Sequence, residues 1–256
     1  MARSMSNLVL TDDAFLGGKV MICQPKSGYR AGIDAVFLAA VVPHGTCRVL
    51  DLGAGVGTVG LCLAARCDGA SVTLLERDPI LAELAHANIE RSGWAERVRV
   101  VQASVGSTAA ELSAHDLKAD SFDHVLANPP YHAEGRGTAA PDALKAISHA
   151  MPEAGLDDWM RFMARMAKPG GTATIIHKAG ALPEILAAFA GRFGDLRVLP
   201  LYPREGEPAS RVIVQGTKGS RAAMVLMPGF VLHDAGDGFT LAAQAVLRQG
   251  AGVSIR

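Results

Sequence analysis

From Arg48 onward the 256-residue chain alternates short apolar runs with helix-patterned segments, and that alternation limits it to few architectures. Arg48-Val-Leu-Asp-Leu52 reads as a strand entering a glycine loop, after which Thr58–Ala65 has helical composition. Ala70–Leu75 is a second strand, ending at Glu76. Asp78-Pro79 then supplies an N-cap and a first-turn proline for a helix with Leu81, Leu84, Ala85 and Ile89 on one face. Arg97–Val101 and Phe122–Ala127 are the third and fourth strands, the latter stopped by two prolines. Asp157 and Asp158 open a helix whose Trp159, Phe162, Met163 and Met166 follow the spacing of a core-facing stripe, and Lys168-Pro-Gly-Gly ends it. Thr172–Ile176, Leu196–Leu201 and Val212–Val214 complete the strands, with another helix over Leu182–Phe189. Units of this kind cross over right-handedly, so the expected fold is a doubly wound α/β domain with a seven-stranded, mostly parallel sheet and helices on both faces. Ligands then bind beyond the carboxyl ends of the strands.

Composition narrows the function. With 49% apolar and 20% charged residues the chain has a full-sized core, and disorder and fibrous structure are excluded. The four cysteines (Cys23, Cys47, Cys62, Cys67) form no C-x-x-C pair, and the N-terminus carries no apolar run with a cleavage site, so a reducing cytoplasm is expected. The longest apolar stretch, Ala35–Val42, is too short for a bilayer span of about 20 residues, and no membrane partner is expected. The eight histidines show no ligand spacing, so no metal is expected. The net charge of zero hides an asymmetry: 13 Lys/Arg against 19 Asp/Glu up to residue 160, and 12 against 6 after it. The C-terminal part can therefore face a polyanion, or its charges are simply spread over a solvated surface.

The strand ends carry the chemistry. Asp51-Leu-Gly53-Ala54-Gly55-Val-Gly57 follows the first strand, and Glu76, about 20 residues on, can accept both hydrogens of a ribose diol. A nucleoside cofactor follows. Gly55-Val-Gly57-Thr-Val-Gly60 also matches the dinucleotide fingerprint G-x-G-x-x-G. Counted from Gly53, however, that fingerprint puts Thr58, too large for close helix–strand packing, in its last glycine place. Asn128-Pro129-Pro130-Tyr131 follows the fourth strand. Two prolines fix the backbone and remove two N–H donors, so this end presents hydrogen-bond acceptors in a stiff geometry. Acceptors suit a planar amine, on which methylation develops positive charge.

Together D-x-G-x-G-x-G and Asn-Pro-Pro-Tyr resemble the class I, Rossmann-like S-adenosylmethionine-dependent methyltransferases that modify planar amino groups of adenine, guanine or glutamine. The resemblance implies that Asn128 and Pro129 hold the amine and Tyr131 stacks over it. It places the cofactor among Asp51, Gly53, Ala54, Gly55, Gly57, Glu76, Arg77, Ala103, Ser104 and Asn128, with Ser104 standing where such enzymes commonly carry Asp. Gln24 to Leu38, with its Gly32-Ile-Asp34, is similar to the start of bacterial enzymes that methylate adenine beside the anticodon of a valine tRNA, which implies that Tyr29, Arg30 and Asp34 border the cofactor or the base. The same likeness takes in Pro79, Ala87-Asn88-Ile89, Gly93 to Arg97 and the Arg211-Val-Ile-Val strand.

The expected organisation is a single methyltransferase domain over 1–256. Residues 1–45 form an extension lining the cofactor site, 46–216 the catalytic core, and 217–256 a C-terminal strand and tail. The expected partner is an RNA, in first place a tRNA, met by a monomer or homodimer. Arg192, Arg197, Arg204, Arg211, Lys218 and Arg221 are the candidate phosphate contacts, and Arg136 and Lys145 lie in a loop over 132–148 that can close on substrate. The alternatives are a glutamine or rRNA guanine methyltransferase, a small-molecule O-methyltransferase, and a non-catalytic RNA-binding factor on the same fold.

Overall fold

The computed structural model describes residues 8–28, 30–45, 47–130 and 154–255. The chain opens with an antiparallel hairpin, β1 (Leu10–Phe15) and β2 (Val20–Pro25), paired in register from Leu10 opposite Pro25 to Phe15 opposite Val20. Helix α1 (Ile33–Ala40) follows, and its residues from Ala35 to Ala40 are all buried. A helix apolar on every side belongs inside, and this one lies between the sheet and its neighbour helix.

The main sheet then forms from β3 (Cys47–Leu52), β4 (Ala70–Glu76), β5 (Val98–Gln102), β6 (Phe122–Ala127), β7 (Ala167–Lys178), β8 (Phe193–Tyr202) and β9 (Arg211–Lys218). Two short strands, β10 (Val225–Leu226) and β11 (Phe230–Val231), both pair with β8 and extend its outer edge. The order is β10-β8-β9-β7-β6-β3-β4-β5, with β3 to β7 parallel and β9 antiparallel to both β7 and β8. The expected seven-stranded doubly wound sheet is therefore present, with the two short strands added. The sheet winds outward from β3 to β5, then returns to place β6 on the other side of β3. That reversal opens a crevice above the ends of β3 and β6, where ligands bind in sheets of this kind.

Strand alternation divides the core between two faces. On one, Val49, Val72, Leu74, Leu126, Ile176 and Ile213 pack against α1, α2 (Thr58–Arg66) and α3 (Pro79–Ser92). On the other, Leu50, Leu52, Leu75, Val125, Ile175 and Val214 pack against α4 (Ala109–Ala114), α5 (Leu156–Met166) and α6 (Leu182–Phe189). Asp78 caps α3 as expected, accepting from the N–H groups of Ile80 and Leu81. After a short α7 (Leu241–Gln244) the tail returns to the α1–α2 face, where Arg66 bonds the carbonyls of Ala39 and Gly250, and Val253 donates to Ala40. A buried guanidinium on the C-terminal carbonyls of α1 satisfies groups that the helix itself leaves open.

Folding also accounts for the charge asymmetry. Basic residues of the second half pair with acids of the first: Lys168 with Asp123, Arg192 with Asp157, Arg211 with Asp34 and Lys218 with Asp120. Arg197 and Arg204 pair with Asp195 and Asp237. Five of the six cations read from sequence as candidate phosphate contacts are thus paired with carboxylates and do not form a free basic face. Among the described residues no helix is long and apolar enough to cross a membrane, and no cluster of three His, Cys, Asp or Glu side chains is placed to hold a metal.

Candidate active site

The loop between β3 and α2 makes a tight right-angle turn. Gly53 and Gly57 have φ of +67° and +89°, where a Cβ is strained, and the N–H groups of Gly53 and Ala54 both donate to the Leu75 carbonyl at 2.8 and 3.0 Å. The loop is therefore fastened to the end of β4. Gly60, within α2, packs against the sheet so closely that a Cβ would stand 2.3 Å from Leu74 Cδ2. The close-packing place thus belongs to Gly60, as the literal G-x-G-x-x-G spacing has it, and not to Thr58. The register argument against a dinucleotide site does not hold.

Two carboxylates supply a better argument. Asp51 is 1% exposed, and its Oδ2 accepts from the Gly60 N–H at 3.2 Å. Burial pushes its pKa up to about 7, helped by the nearby charge of Glu76 and opposed by the Gly60 hydrogen bond. Glu76 accepts from Gly55 N–H at 2.7 Å on one oxygen and from Asp78 N–H at 2.8 Å on the other. Burial raises its pKa as well, against the pull of those two bonds. The amides of Gly55 and Gly60 that would face a pyrophosphate are occupied by carboxylates, and two acids under one loop repel a phosphate. The same acids favour a cation.

Opposite this loop stands the end of β6. Leu52 pairs with Ala127, so Gly53 and Asn128 each follow the last paired position of two adjacent parallel strands. Asn128 is half-buried, Pro129 buried and Pro130 exposed. Tyr131 and the 132–148 loop lie outside the described residues, as does Tyr29.

The other residues named from sequence divide into two groups. Ala54 is buried in the loop, Arg77 is exposed beside Glu76, and Ala103 donates to the Glu76 carbonyl at 3.0 Å. Ser104 follows at the β5 end and closes its own turn, its Oγ accepting from Gly106 N–H and its N–H donating to Ser107 Oγ. All four stand at the crevice end of the sheet. Arg30 and Asp34 are held in ion pairs. Arg30 bonds Asp13, Thr11 Oγ1 and the Pro25 carbonyl, fixing the hairpin to the start of α1. Asp34 holds Arg211 at 2.9 Å.

Sequence reasoning missed the residues that fasten this extension to the site. Gln24, 1% exposed, donates to Asp13 and accepts from Ala31 N–H. Asn88 is fully buried in α3; its amide donates to the carbonyls of Cys23 and Val56 at 3.0 Å each and its Oδ1 accepts from Cys23 N–H at 2.8 Å. One side chain thereby joins β2, the glycine loop and α3. An uncharged polar residue on the buried face of a helix is the available signal, since such a group requires partners.

The methyltransferase small domain model matches residues 31–153, the segment from α1 through the four strand ends just described. A tRNA1(Val) (adenine(37)-N6)-methyltransferase of a Shewanella species is 32% identical over 201 residues, covering 78% of this chain and 76% of the relative. The chain belongs to the small-domain methyltransferases. It is an S-adenosylmethionine-dependent methyltransferase, and further comparisons agree. A protein of the same name from Bacteroides fragilis is 28% identical over 75% of this chain and 78% of its own length. The crystal structure of a predicted O-methyltransferase from Agrobacterium tumefaciens superposes with a TM-score of 0.73 at 31% identity, covering 86% of this chain and 98% of that one.

The residues of this small-domain methyltransferase fit the family's methyl donor. Each Glu76 oxygen accepts one hydrogen bond and keeps a lone pair for a ribose hydroxyl. Thr58 Oγ1, at the start of α2, is buried without a hydrogen-bond partner. The two buried carboxyl groups, Asp51 and Glu76, are the acids whose ionised forms a donor bearing an ammonium and a sulfonium would favour.

Proposed function

We propose that this enzyme methylates the exocyclic amine of an adenine in tRNA. The observation that carries the reading is the register of Leu52 with Ala127, which sets the glycine loop and the Asn128-Pro129 end side by side at the switch point of the sheet. Relatives named as tRNA1(Val) (adenine(37)-N6)-methyltransferases over three quarters of the chain support the substrate class.

Glu76 would hold the ribose diol, and the Gly53–Gly57 backbone would bear the amino-acid end of the donor, with Ala103 and Ser104 beside its base. When bound, the donor would supply an electrophilic methyl for attack by the nitrogen lone pair, with the sulfur as leaving group. The Asn128 side-chain oxygen and the Pro129 carbonyl would accept the two N–H bonds of the amine, turning its lone pair toward the crevice and stabilising the charge that develops on nitrogen. The surplus proton leaves to water afterwards, so no general base is demanded of the chain. Tyr131 would stack on the base. A single-stranded anticodon loop presents a base more cheaply than a duplex does.

The test is methyl incorporation from labelled S-adenosylmethionine into separate tRNA, rRNA and protein fractions, followed by nucleoside and amino-acid analysis. N6-methyladenosine confined to tRNA is expected, with Asn128→Ala lowering kcat at least about 100-fold while cofactor affinity stays within about threefold. Label in guanosine or glutamine would move the substrate. A second reading, a small-molecule O-methyltransferase, draws on the Agrobacterium tumefaciens structure's description. It would be favoured by labelling of a hydroxylated metabolite extract and of no macromolecular fraction.

A further inference from the structure

We propose that Trp159 forms one wall of the methyl-transfer crevice and favours the positively charged sulfonium cofactor over its neutral thioether product. This inference rests on the reading that the cofactor lies along the glycine loop beside Asn128.

The starting observation is a contact. A Cβ built on Gly53 would stand 2.5 Å from Trp159 Cη2, 3.1 Å from Cζ3 and 3.6 Å from Cζ2, so the far edge of the indole abuts the backbone of the first loop glycine. Glycine is required there twice over, by its φ of +67° and by this ring. Helix α5 explains the ring's direction. Its core positions are Leu156, Met160, Phe162, Met163 and Met166, all buried, whereas Trp159 is only half-buried at the rim of that face. The indole packs partly against the same core, and its far edge reaches across to the residue that follows β3.

Gly53 and Asn128 adjoin on neighbouring strands, and the transferred methyl must pass between a donor on the first and an amine on the second. The ring touching Gly53 therefore borders the place where the sulfonium charge must sit. An aromatic face attracts a cation, most strongly for indole and most where water is excluded. A neutral thioether lacks that attraction and retains only the packing. A wall of this kind lowers the affinity of product relative to substrate and speeds turnover.

Calorimetric dissociation constants for S-adenosylmethionine, S-adenosylhomocysteine and sinefungin, which carries a charged amine in place of the sulfonium, test the proposal on the purified protein without RNA. In Trp159→Leu the constants for the two charged ligands should rise about tenfold, while that for the thioether changes less than about threefold. Should Trp159→Leu fail to fold, Trp159→Phe keeps a smaller ring and should lower the charged-to-neutral preference about threefold. Cofactor should quench tryptophan fluorescence in the wild type and no longer do so in that variant, which retains Trp94. Equal weakening of all three ligands would show packing alone and overturn the proposal, as would unchanged constants. Wild-type protein that binds none of the three would instead overturn the underlying reading of the site.

Discussion

Asn88 offers the sharpest test of how this architecture is held together. Its side chain is fully buried and makes three hydrogen bonds, two donated to the Cys23 and Val56 carbonyls and one accepted from Cys23 N–H. Asn88→Ala leaves one N–H and two carbonyls without these partners in the interior. Each orphaned group costs about 1–3 kcal/mol, moderated where water enters the space left by the amide, so a loss of about 3–5 kcal/mol is expected. That is a large share of the 5–15 kcal/mol by which domains are typically stable. Asn88→Asp keeps the shape and one acceptor but points a carboxylate at two carbonyls. At pH 8 it should lose at least as much, and it should recover part of the loss toward pH 4, where a protonated acid regains one O–H donor. Urea unfolding of the wild type and both variants at pH 8 and pH 5 measures this directly. A cost below about 1 kcal/mol for Asn88→Ala, or an Asp variant as stable as the wild type at pH 8, would refute the claim that this side chain joins the hairpin to the glycine loop.

Two further outcomes follow from charge. Asp51 has its pKa raised by burial from 3.8 to about 7, so the folded state binds its proton more tightly than the unfolded chain. The resulting stability is fully present below about pH 4 and is lost as pH rises through about 7, on the order of 4 kcal/mol if Asp51 acted alone. The fall in urea midpoint between pH 5 and pH 8 should shrink in Asp51→Asn, and an equal fall in both proteins would sink the assignment. Because five of the six candidate phosphate contacts are already paired with carboxylates, tRNA affinity should depend only moderately on salt. A log–log slope shallower than about −3 is expected, whereas six free phosphate contacts on a single strand would give about −4. A filter-binding series in KCl that returned the steeper value would restore the free basic face.

Much of the fold was legible because its signals are local. The runs that became β3, β4 and β6 are short, apolar and ended by glycine, acid or proline, and α3 carries its own cap and stripe, whereas the short α4 was not read from the sequence. The Leu10–Phe15 and Val20–Pro25 hairpin was not legible. Half of its first strand is polar, and the side chain that fastens it to the domain, Asn88, lies 65 residues beyond Cys23. The edge strands β10 and β11, two residues each, are too short to announce themselves by pattern.

The candidate site divides the same way. Residue types and spacing pointed to the glycine loop, Glu76 and Asn128-Pro129 as the candidate site, because turning sharply, offering a carboxylate and presenting bare carbonyls are properties of the residues themselves. Four things needed the third dimension. Gly60, not Thr58, packs on Leu74. Arg30 and Asp34 belong to ion pairs. Several cations of the basic half pair with acids of the acidic half. Trp159, counted in sequence as one more apolar position of a helix, points at Gly53. Each depends on contacts between residues distant in the chain, and a contact is set by how strands register and how helices are seated, which no one-dimensional period encodes. The chemistry of this protein was written in its residue types; which of them meet in the crevice was decided by the packing of the sheet.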